Sequence, residues 1–217
     1  MDNITILLKV SGLTFLSLLP MVNPPTTATL LLGLSKGMSR EQLKRTVNLT
    51  TVYLFCTLVV TLFIGSGILE LFGISMPGLR LAGGLVIGFI GFRMLFPQPG
   101  SGNQQHDGQS IAFVPLTMPS LCGPGTMAVI ISGASQLAAV ADELPRIPLY
   151  GGVILGFVLI SALAWGVLRL ADPVCRLLGQ SGIDAMTRIM GFLLICMGVQ
   201  FGINGVMELA QDPAFAG

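Results

Sequence analysis

Residues 23–35 of this chain read NPPTTATLLLGLS, and residues 123–135 read GPGTMAVIISGAS. The two stretches agree at five of their thirteen positions: Pro24/Pro124, Thr26/Thr126, Ala28/Ala128, Gly33/Gly133 and Ser35/Ser135. Each stretch places a helix-breaking proline within an apolar segment long enough to cross a bilayer. Interrupted hydrophobic segments at matching places of two halves are a sequence sign of a transporter's binding site.

A second internal echo, at a spacing of 108 residues, extends the repeat toward the end of each half. It pairs Arg80, Gly83, Leu85 and Ile87 with Arg188, Gly191, Leu193 and Ile195. The chain is therefore expected to consist of two related halves.

The composition is that of an integral membrane protein. Hydrophobic residues make up 53% of the chain and charged residues 10%, and the mean hydropathy is +0.84. Soluble domains carry about 25% charged residues. The net charge of +1 and the lack of a basic run give no sign of nucleic-acid binding. No basic region precedes the first apolar stretch, which is therefore interpreted as a retained span and not as a signal peptide.

Six apolar segments are predicted to cross the membrane, since a helical span needs about 20 residues. They lie near residues 5–35, 47–70, 78–96, 111–136, 148–170 and 187–209. Residues 1–96 and 111–217 would each supply three spans, and residues 97–110 would join them as a polar cytoplasmic linker. Because three is odd, the second half enters the membrane from the opposite side. The expected fold is all-α, with six transmembrane helices in two inverted three-helix repeats and the first helix of each repeat broken.

Basic residues near the span ends predict the orientation of the chain. Three loops on one face, with the adjoining span ends, hold eight of them: Lys36, Arg40, Lys44, Arg45, Arg93, Arg169, Arg176 and Arg188. The opposite face holds three: Lys9, Arg80 and Arg146. The eight-residue face is therefore expected in the cytoplasm, with both termini outside.

Each proline motif is expected to start a new half-helix inside the membrane. Proline clashes with a preceding helical turn, but it suits the first position of a helix after an Asn or Gly cap. Starts after Asn23 and Gly123 would leave unpaired N–H groups and a partial positive charge of roughly half a unit, which attracts a carboxylate or phosphate. The candidate binding residues are Asn23, Pro24, Thr26, Thr27, Gly123, Pro124, Gly125 and Thr126. Packed proline kinks are the alternative, but the match of Thr26 with Thr126 favours a ligand site.

The predicted spans carry no Asp, Glu, Lys or His at their centres. This pattern disfavours a proton-driven exporter of cationic drugs, which needs an acidic residue in the membrane, and it suits a neutral or zwitterionic solute. Arg80 and Arg188, near the start of the third span of each half, are interpreted as interfacial anchors, with gating as the alternative. Without an in-span His, Asp or Cys–His pair, neither enzymatic activity nor a metal or other cofactor is expected.

Glycines four residues apart recur in three of the predicted spans: Gly84/Gly88, Gly152/Gly156 and Gly198/Gly202. Such pairs let helix backbones approach closely in lipid. Packing within one chain is the favoured interpretation, and a solute path or the seam of a homo-oligomer is the alternative.

Several segments closely resemble the MarC family: residues 73–84 (GISMPGLRLAGG), 91–97 (GFRMLFP), 113–119 (FVPLTMP) leading to 123–125 (GPG), and 187–192 (TRIMGF). The resemblance extends over residues 5–209. It implies a bacterial inner-membrane protein with six spans, whose termini would then be periplasmic. The wider family includes carriers described as transporters of small neutral amino acids, and its binding elements correspond to the breaks at Asn23–Pro24 and Gly123–Pro124–Gly125.

The breaks and the resemblance together favour secondary transport of a small neutral amino acid or a similar metabolite by alternating access, with the coupling ion unidentified. A membrane protein without transport activity, such as a structural or accessory subunit, is the first alternative. An efflux protein for drugs or metabolites is the second.

We expect reporter fusions within residues 97–110 and at the C-terminus to lie on opposite sides of the membrane, because three spans separate them. Paired alkaline phosphatase and fluorescent-protein fusions measure the side, and an N-terminal fusion should match the C-terminal one. Linker and C-terminus on the same side would contradict the six-span scheme.

Overall fold

A computed structural model describes residues 3–35, 38–96, 112–140 and 145–211. Within these residues the chain forms seven α-helices and one π-helix. The elements are α1 (Asn3–Val22), α2 (Pro24–Leu34), α3 (Arg40–Leu71), α4 (Met76–Leu95), the π-helix (Ala112–Leu121), α5 (Pro124–Val140), α6 (Arg146–Arg169) and α7 (Ala171–Gln211).

Five helical segments of the described residues are long and apolar enough to cross a membrane: Asn3–Leu32, Arg40–Leu71, Met76–Leu95, Arg146–Arg169 and Ser181–Gln211. They match five of the six predicted spans. The remaining span, predicted at 111–136, is divided between the 10-residue π-helix and the 17-residue α5. The described chain is therefore helical and membrane-embedded, and the predicted linker 97–110 lies outside the described residues.

Short polar segments set the starts of α3 and α4. The Ser39 hydroxyl accepts a hydrogen bond from the Gln42 N–H (3.2 Å), and the Gln42 side chain accepts one from the Ser39 N–H (2.8 Å). This reciprocal pair satisfies two donors at the start of α3. The turn after α3 contains Gly73 at a φ of +64°, a conformation that favours glycine. Ser75 then caps α4 through the Gly78 N–H.

Helices α4 and α7 pack backbone to backbone. A Cβ atom on Gly84 would lie 2.6 Å from the Gly198 carbonyl oxygen, and one on Gly91 would lie 2.5 Å from the Gly191 carbonyl oxygen. The partner's number falls as the first number rises, so the two helices are antiparallel. These glycines pack helices of the same chain, as the sequence predicts for Gly84 and Gly198.

Helices α1 and α6 run parallel to each other. Gly152 of α6 lies against Val10 of α1, and Gly156, one turn further on, lies against Thr14. The second predicted glycine pair therefore also packs helices within one chain, which is the role of small residues where lipid supplies no hydrophobic drive for association.

Helix α3 runs parallel to the π-helix and α5. The Thr50 hydroxyl donates a hydrogen bond to the Ala112 carbonyl (3.2 Å) near one end, and Gly65 contacts the Ile131 side chain near the other. The buried core joins α1, α3, α6 and the π-helix; its fully enclosed members include Leu18, Leu54, Leu58, Leu116, Phe157 and Ile160.

A short helical segment that the sequence did not predict precedes the last span. Within α7, Gly179 has a non-helical φ of +62° and ψ of 172°, and it separates this segment, which begins at Ala171, from the span Ser181–Gln211, which was predicted at 187–209. Charged residues such as Asp172 and Arg176 exclude this first segment from the hydrocarbon core. They do not prevent it from being helical, so apolarity marks the membrane-spanning part of a helix and not its ends.

We expect Gly84→Ala to lower the unfolding temperature in detergent, because the added Cβ meets the Gly198 backbone, which has no flexible side chain to move aside. Overpacking of this kind costs roughly 1–3 kcal/mol. Gly88→Ala is the matched control on the same helix, since its Cβ would meet nothing within 4 Å. Equal thermal unfolding curves for the two variants would contradict the close α4–α7 contact.

Candidate functional site

The first helix break is a single residue in a left-handed conformation. Asn23 has φ 34° and ψ 66° and separates α1 from α2. Asparagine tolerates this region better than most residues. Its N–H still donates to the Leu19 carbonyl (3.3 Å), but Pro24 and Pro25 have no N–H with which to continue the helix. The new helix begins with a hydrogen bond from the Thr27 N–H to the Asn23 carbonyl (3.4 Å).

At the second break the new helix starts in the same way, but the segment before it has a different structure. Helix α5 begins at Pro124, and the Met127 N–H donates to the Gly123 carbonyl (3.2 Å), as Thr27 does to Asn23. The segment before it is the π-helix, whose last bond runs from the Cys122 N–H to the Thr117 carbonyl (2.8 Å). Both predicted half-helix starts are thus present, whereas the sequence did not predict the π-helix.

Two buried threonines hold the start of the π-helix against α3. The Ala112 carbonyl accepts hydrogen bonds from the hydroxyls of Thr117 (2.7 Å) and Thr50 (3.2 Å). Both threonines are fully buried. π-Helical turns often occur at functional sites, and this one fixes the approach of the chain to Gly123. In the sequence, the only sign of this contact is that Thr50 and Thr117 place hydroxyls in apolar segments.

The two breaks meet at one small cavity of about 90 Å³. Six of the eight predicted binding residues line it: Asn23, Thr26, Thr27, Gly123, Gly125 and Thr126. Met21, Ile90, Met94 and Leu194 complete the lining. The structure therefore brings together the two motifs that lie one hundred residues apart, with the starts of α2 and α5 at a common space.

Pro24 and Pro124 do not line this cavity. Pro24 is buried and Pro124 is exposed. Each occupies the first position of its helix, where a proline is favoured because that N–H has no partner in any case. Their contribution at the site is thus to start the helices.

The Asn23 side chain carries an unpartnered donor at the cavity. The residue is 6% exposed, and its amide nitrogen Nδ2 has no hydrogen-bond partner. A buried polar group without a partner costs roughly 1–3 kcal/mol. This amide adds an unsatisfied donor beside the cavity to the N–H groups at the two helix starts.

A residue outside the predicted set connects the site to α7. The hydroxyls of Thr26 and Thr187 lie 2.9 Å apart and share a hydrogen bond. Thr187 is on α7, and it therefore ties the start of α2 to the last helix. The repeat gave no indication of this role, because position 79, its counterpart at a spacing of 108, is Leu.

The two arginines paired by the sequence echo have different environments. Arg80 on α4 is 8% exposed; its Nε donates to the Ser132 hydroxyl of α5 (3.0 Å), and its Nη1 forms an ion pair with Glu208 of α7. Arg188 is exposed. Neither lines the cavity. Arg80 therefore connects three helices at the end of the bundle where α4 begins and α7 ends.

A second cavity, of about 240 Å³, lies beside the same two broken segments. Ser17 lines it one helical turn before Met21 of the first cavity, and on α5 Val129 and Gly133 line it beyond Thr126. Its other walls come from α3 and α6 and are mostly apolar. In the described residues no group of three His, Cys, Asp or Glu is placed to hold a metal ion.

These features define a polytopic helical membrane protein in which two interrupted helices begin at a shared buried cavity. The family model described as "MarC family integral membrane protein" matches residues 8–210. The chain belongs to the MarC family, as the sequence motifs indicated.

Close relatives cover almost the whole chain. In an alignment of 221 positions it is 44% identical to the inner membrane protein MarC of Escherichia coli, and this alignment covers 94% of this chain and 97% of the relative. It is 45% identical to the protein of the same name from Citrobacter koseri over 216 residues and 44% identical to that from Shigella flexneri over 221, with the same coverage. No solved structure matches the chain.

We expect Thr26→Val and Thr187→Val to be coupled in stability. Each substitution removes one partner of the same hydrogen bond, which contributes about 1 kcal/mol to the free energy of unfolding. The double variant should therefore lose less unfolding free energy than the sum of the losses of the two single variants. Unfolding free energies in detergent measure this cycle. The control pairs Thr26→Val with Thr57→Val, whose hydroxyl bonds only within α3 to the Tyr53 carbonyl (2.7 Å). Additive losses for Thr26 and Thr187 would contradict the shared bond.

Proposed function

We propose that this protein is an inner-membrane secondary transporter of a small neutral amino acid or a similar small metabolite, which binds between the two half-helix starts. The observation that carries the proposal is the buried, unpartnered Asn23 amide at a cavity formed by both breaks. Its relatives bear the name inner membrane protein, which supports the same location here.

The charge at the cavity suits a zwitterion. None of the residues lining it is charged, so the fixed potential comes from the positive ends of α2 and α5, which stabilise a carboxylate. The hydroxyls of Thr26 and Thr126 can accept hydrogen bonds from an ammonium group. A solute with one carboxylate and one ammonium therefore requires no further charged residue.

The two helix starts are not equivalent donors, and their difference orients the solute. The first N–H groups of a helix have no partner within it, and α5 keeps those of Gly125 and Thr126. At the start of α2, Pro25 replaces the glycine and removes one donor. We therefore place the carboxylate at the start of α5, close to the Asn23 amide, and the ammonium toward the hydroxyl of Thr26.

Cavity size favours a metabolite over a drug. A volume of about 90 Å³ is well below the roughly 300–1,000 Å³ of sites for drug-sized ligands. This supports a small solute and weighs against the efflux alternative. An accessory subunit without transport activity has no need of a buried donor-rich cavity, which weighs against the first alternative.

Helix directions support two inverted repeats and alternating access. Helices α1 and α6 are parallel, α3 and the π-helix–α5 segment are parallel, and α4 and α7 are antiparallel. A two-fold axis in the membrane plane would exchange the first two pairs and map the third onto itself. We propose on this basis six spans with both termini in the periplasm, and a rocking of the two halves about the site.

The second cavity provides a path to the site in this scheme. It follows α1 from Val10 to Leu18 and α5 from Val129 to Leu137, toward the end of the bundle where α1 begins. Thr14 and Ser17 supply hydroxyls along it. We propose that the solute passes between α1 and α5 to reach the breaks.

The experiment is a thermal-shift screen of the detergent-purified protein against amino acids and small metabolites, followed by uptake of each hit into proteoliposomes. For a carboxylate-bearing hit we expect Thr126→Asp to abolish binding, because its fixed anion competes for the same N–H groups. Thr126→Val should weaken binding by about 1 kcal/mol, or roughly fivefold, for one lost hydrogen bond. Asn23→Gly keeps a backbone suited to the left-handed region and loses only the amide, so it should also weaken binding.

Size-exclusion profiles show whether each variant is folded. A hit that binds Thr126→Asp as tightly as the unmodified protein would mean that the breaks are packing kinks. A hit that binds at the breaks but is not taken up by proteoliposomes would support the accessory role instead.

A further inference from the structure

Helices α3 and α6 form an antiparallel pair with a fixed register. The Phe63 and Tyr150 rings stack with their centroids 6.3 Å apart, and the Trp165 indole N–H donates to the Asn48 side chain (2.9 Å). The two contacts lie fifteen residues apart on each helix, and the residue numbers rise along α3 as they fall along α6. The residues one turn before Asn48 on α3 therefore lie at the same level of the bundle as the residues one turn after Trp165 on α6.

Three cations gather at that level. Lys44 and Arg45 precede Asn48 by about one turn, and Arg169 follows Trp165 by one turn. The Arg169 guanidinium lies over the Trp165 ring, 4.9 Å from its centroid. All three cations are exposed, and among the described residues none has a carboxylate within salt-bridge distance. Glu41 precedes Lys44 by about one turn on α3, and Asp172 follows Arg169 at the start of α7.

Further into the span from these cations, α3 presents an apolar surface. On α3, the exposed residues that follow Asn48 into the span are Val52, Cys56 and Val60, and Val52 is 54% exposed. Trp165, 39% exposed, stands between this surface and the cations. A tryptophan with a partnered indole N–H at the boundary of apolar and charged surface is typical of the headgroup level of a bilayer.

We propose that Lys44, Arg45 and Arg169, positioned by the Trp165–Asn48 hydrogen bond, form a binding site for the phosphate of an anionic phospholipid whose acyl chains lie along α3. Basic residues between transmembrane helices at this level favour anionic headgroups. Stacking on Trp165 holds the guanidinium in place and leaves its N–H groups free for phosphate. This site is separate from the cavity at the helix breaks and does not depend on the transported solute.

The test measures the unfolding temperature of the delipidated, detergent-purified protein with phosphatidylglycerol, phosphatidylcholine or inorganic phosphate. We expect phosphatidylglycerol to raise the unfolding temperature, and phosphatidylcholine and inorganic phosphate to leave it unchanged. Removing one cation, by Arg169→Gln or Lys44→Gln, should raise the phosphatidylglycerol concentration needed for half the effect roughly fivefold. Trp165→Phe keeps a ring but loses the bond to Asn48, and it should also weaken the effect.

Arg93→Gln is the matched control. Arg93 is an exposed cation near the end of α4, over the ring of Phe89 at 6.0 Å, and no hydrogen bond joins that ring to a second helix. The Arg93→Gln variant should show the same increase of the unfolding temperature with phosphatidylglycerol as the unmodified protein. An equal loss for Arg93→Gln and Arg169→Gln would show diffuse attraction and overturn the site, as would an equal shift with phosphatidylcholine or inorganic phosphate.

Discussion

A proline cannot donate the hydrogen bond that a helix requires, and inside a bilayer no water replaces it. Irregular backbone at this depth must therefore be enclosed by protein or face a hydrated space. The chain meets this requirement twice, after Asn23 and after Gly123, and encloses both breaks at one cavity. The remaining helices are arranged so that these two interruptions meet at one space lined mostly by buried residues.

The packing around the breaks uses two kinds of contact. Small residues allow backbones to touch, as in the α4–α7 seam around Gly84 and Gly198 and the α1–α6 seam around Gly152. Buried polar groups then fix the broken segments in place: Thr187 holds the start of α2, and Thr50 holds the start of the π-helix. Glycine contacts thus bring the helices close, whereas hydroxyl bonds give the site a definite geometry.

Sequence patterns predicted much of this arrangement, because prolines and apolar lengths act locally. The two helix starts and six cavity residues follow from the repeated motif, and five of the spans follow from the length of the apolar segments. The π-helix could not be predicted, since its wider turn depends on Thr50 of another helix. Thr187 and the burial of Arg80 were missed for the same reason: both depend on which helices meet. The last span was located correctly, but the helical segment before Gly179 was missed because its charged residues resemble a loop in composition.

The ion pair of Arg80 has a consequence for the populations of the protein's conformations. Within the described residues, Arg80 has an ion pair and a hydrogen bond that join α4, α5 and α7, whereas no such contact is seen for its repeat partner Arg188. Two repeats with identical contacts would leave the states open at either end nearly equal in free energy. An ion pair present at one end makes the free energies of these two states unequal. In the proposed alternating-access scheme, the empty protein should therefore rest mainly in the state that keeps the Arg80–Glu208 ion pair, and a solute would have to supply the differential binding energy that shifts the equilibrium away from it.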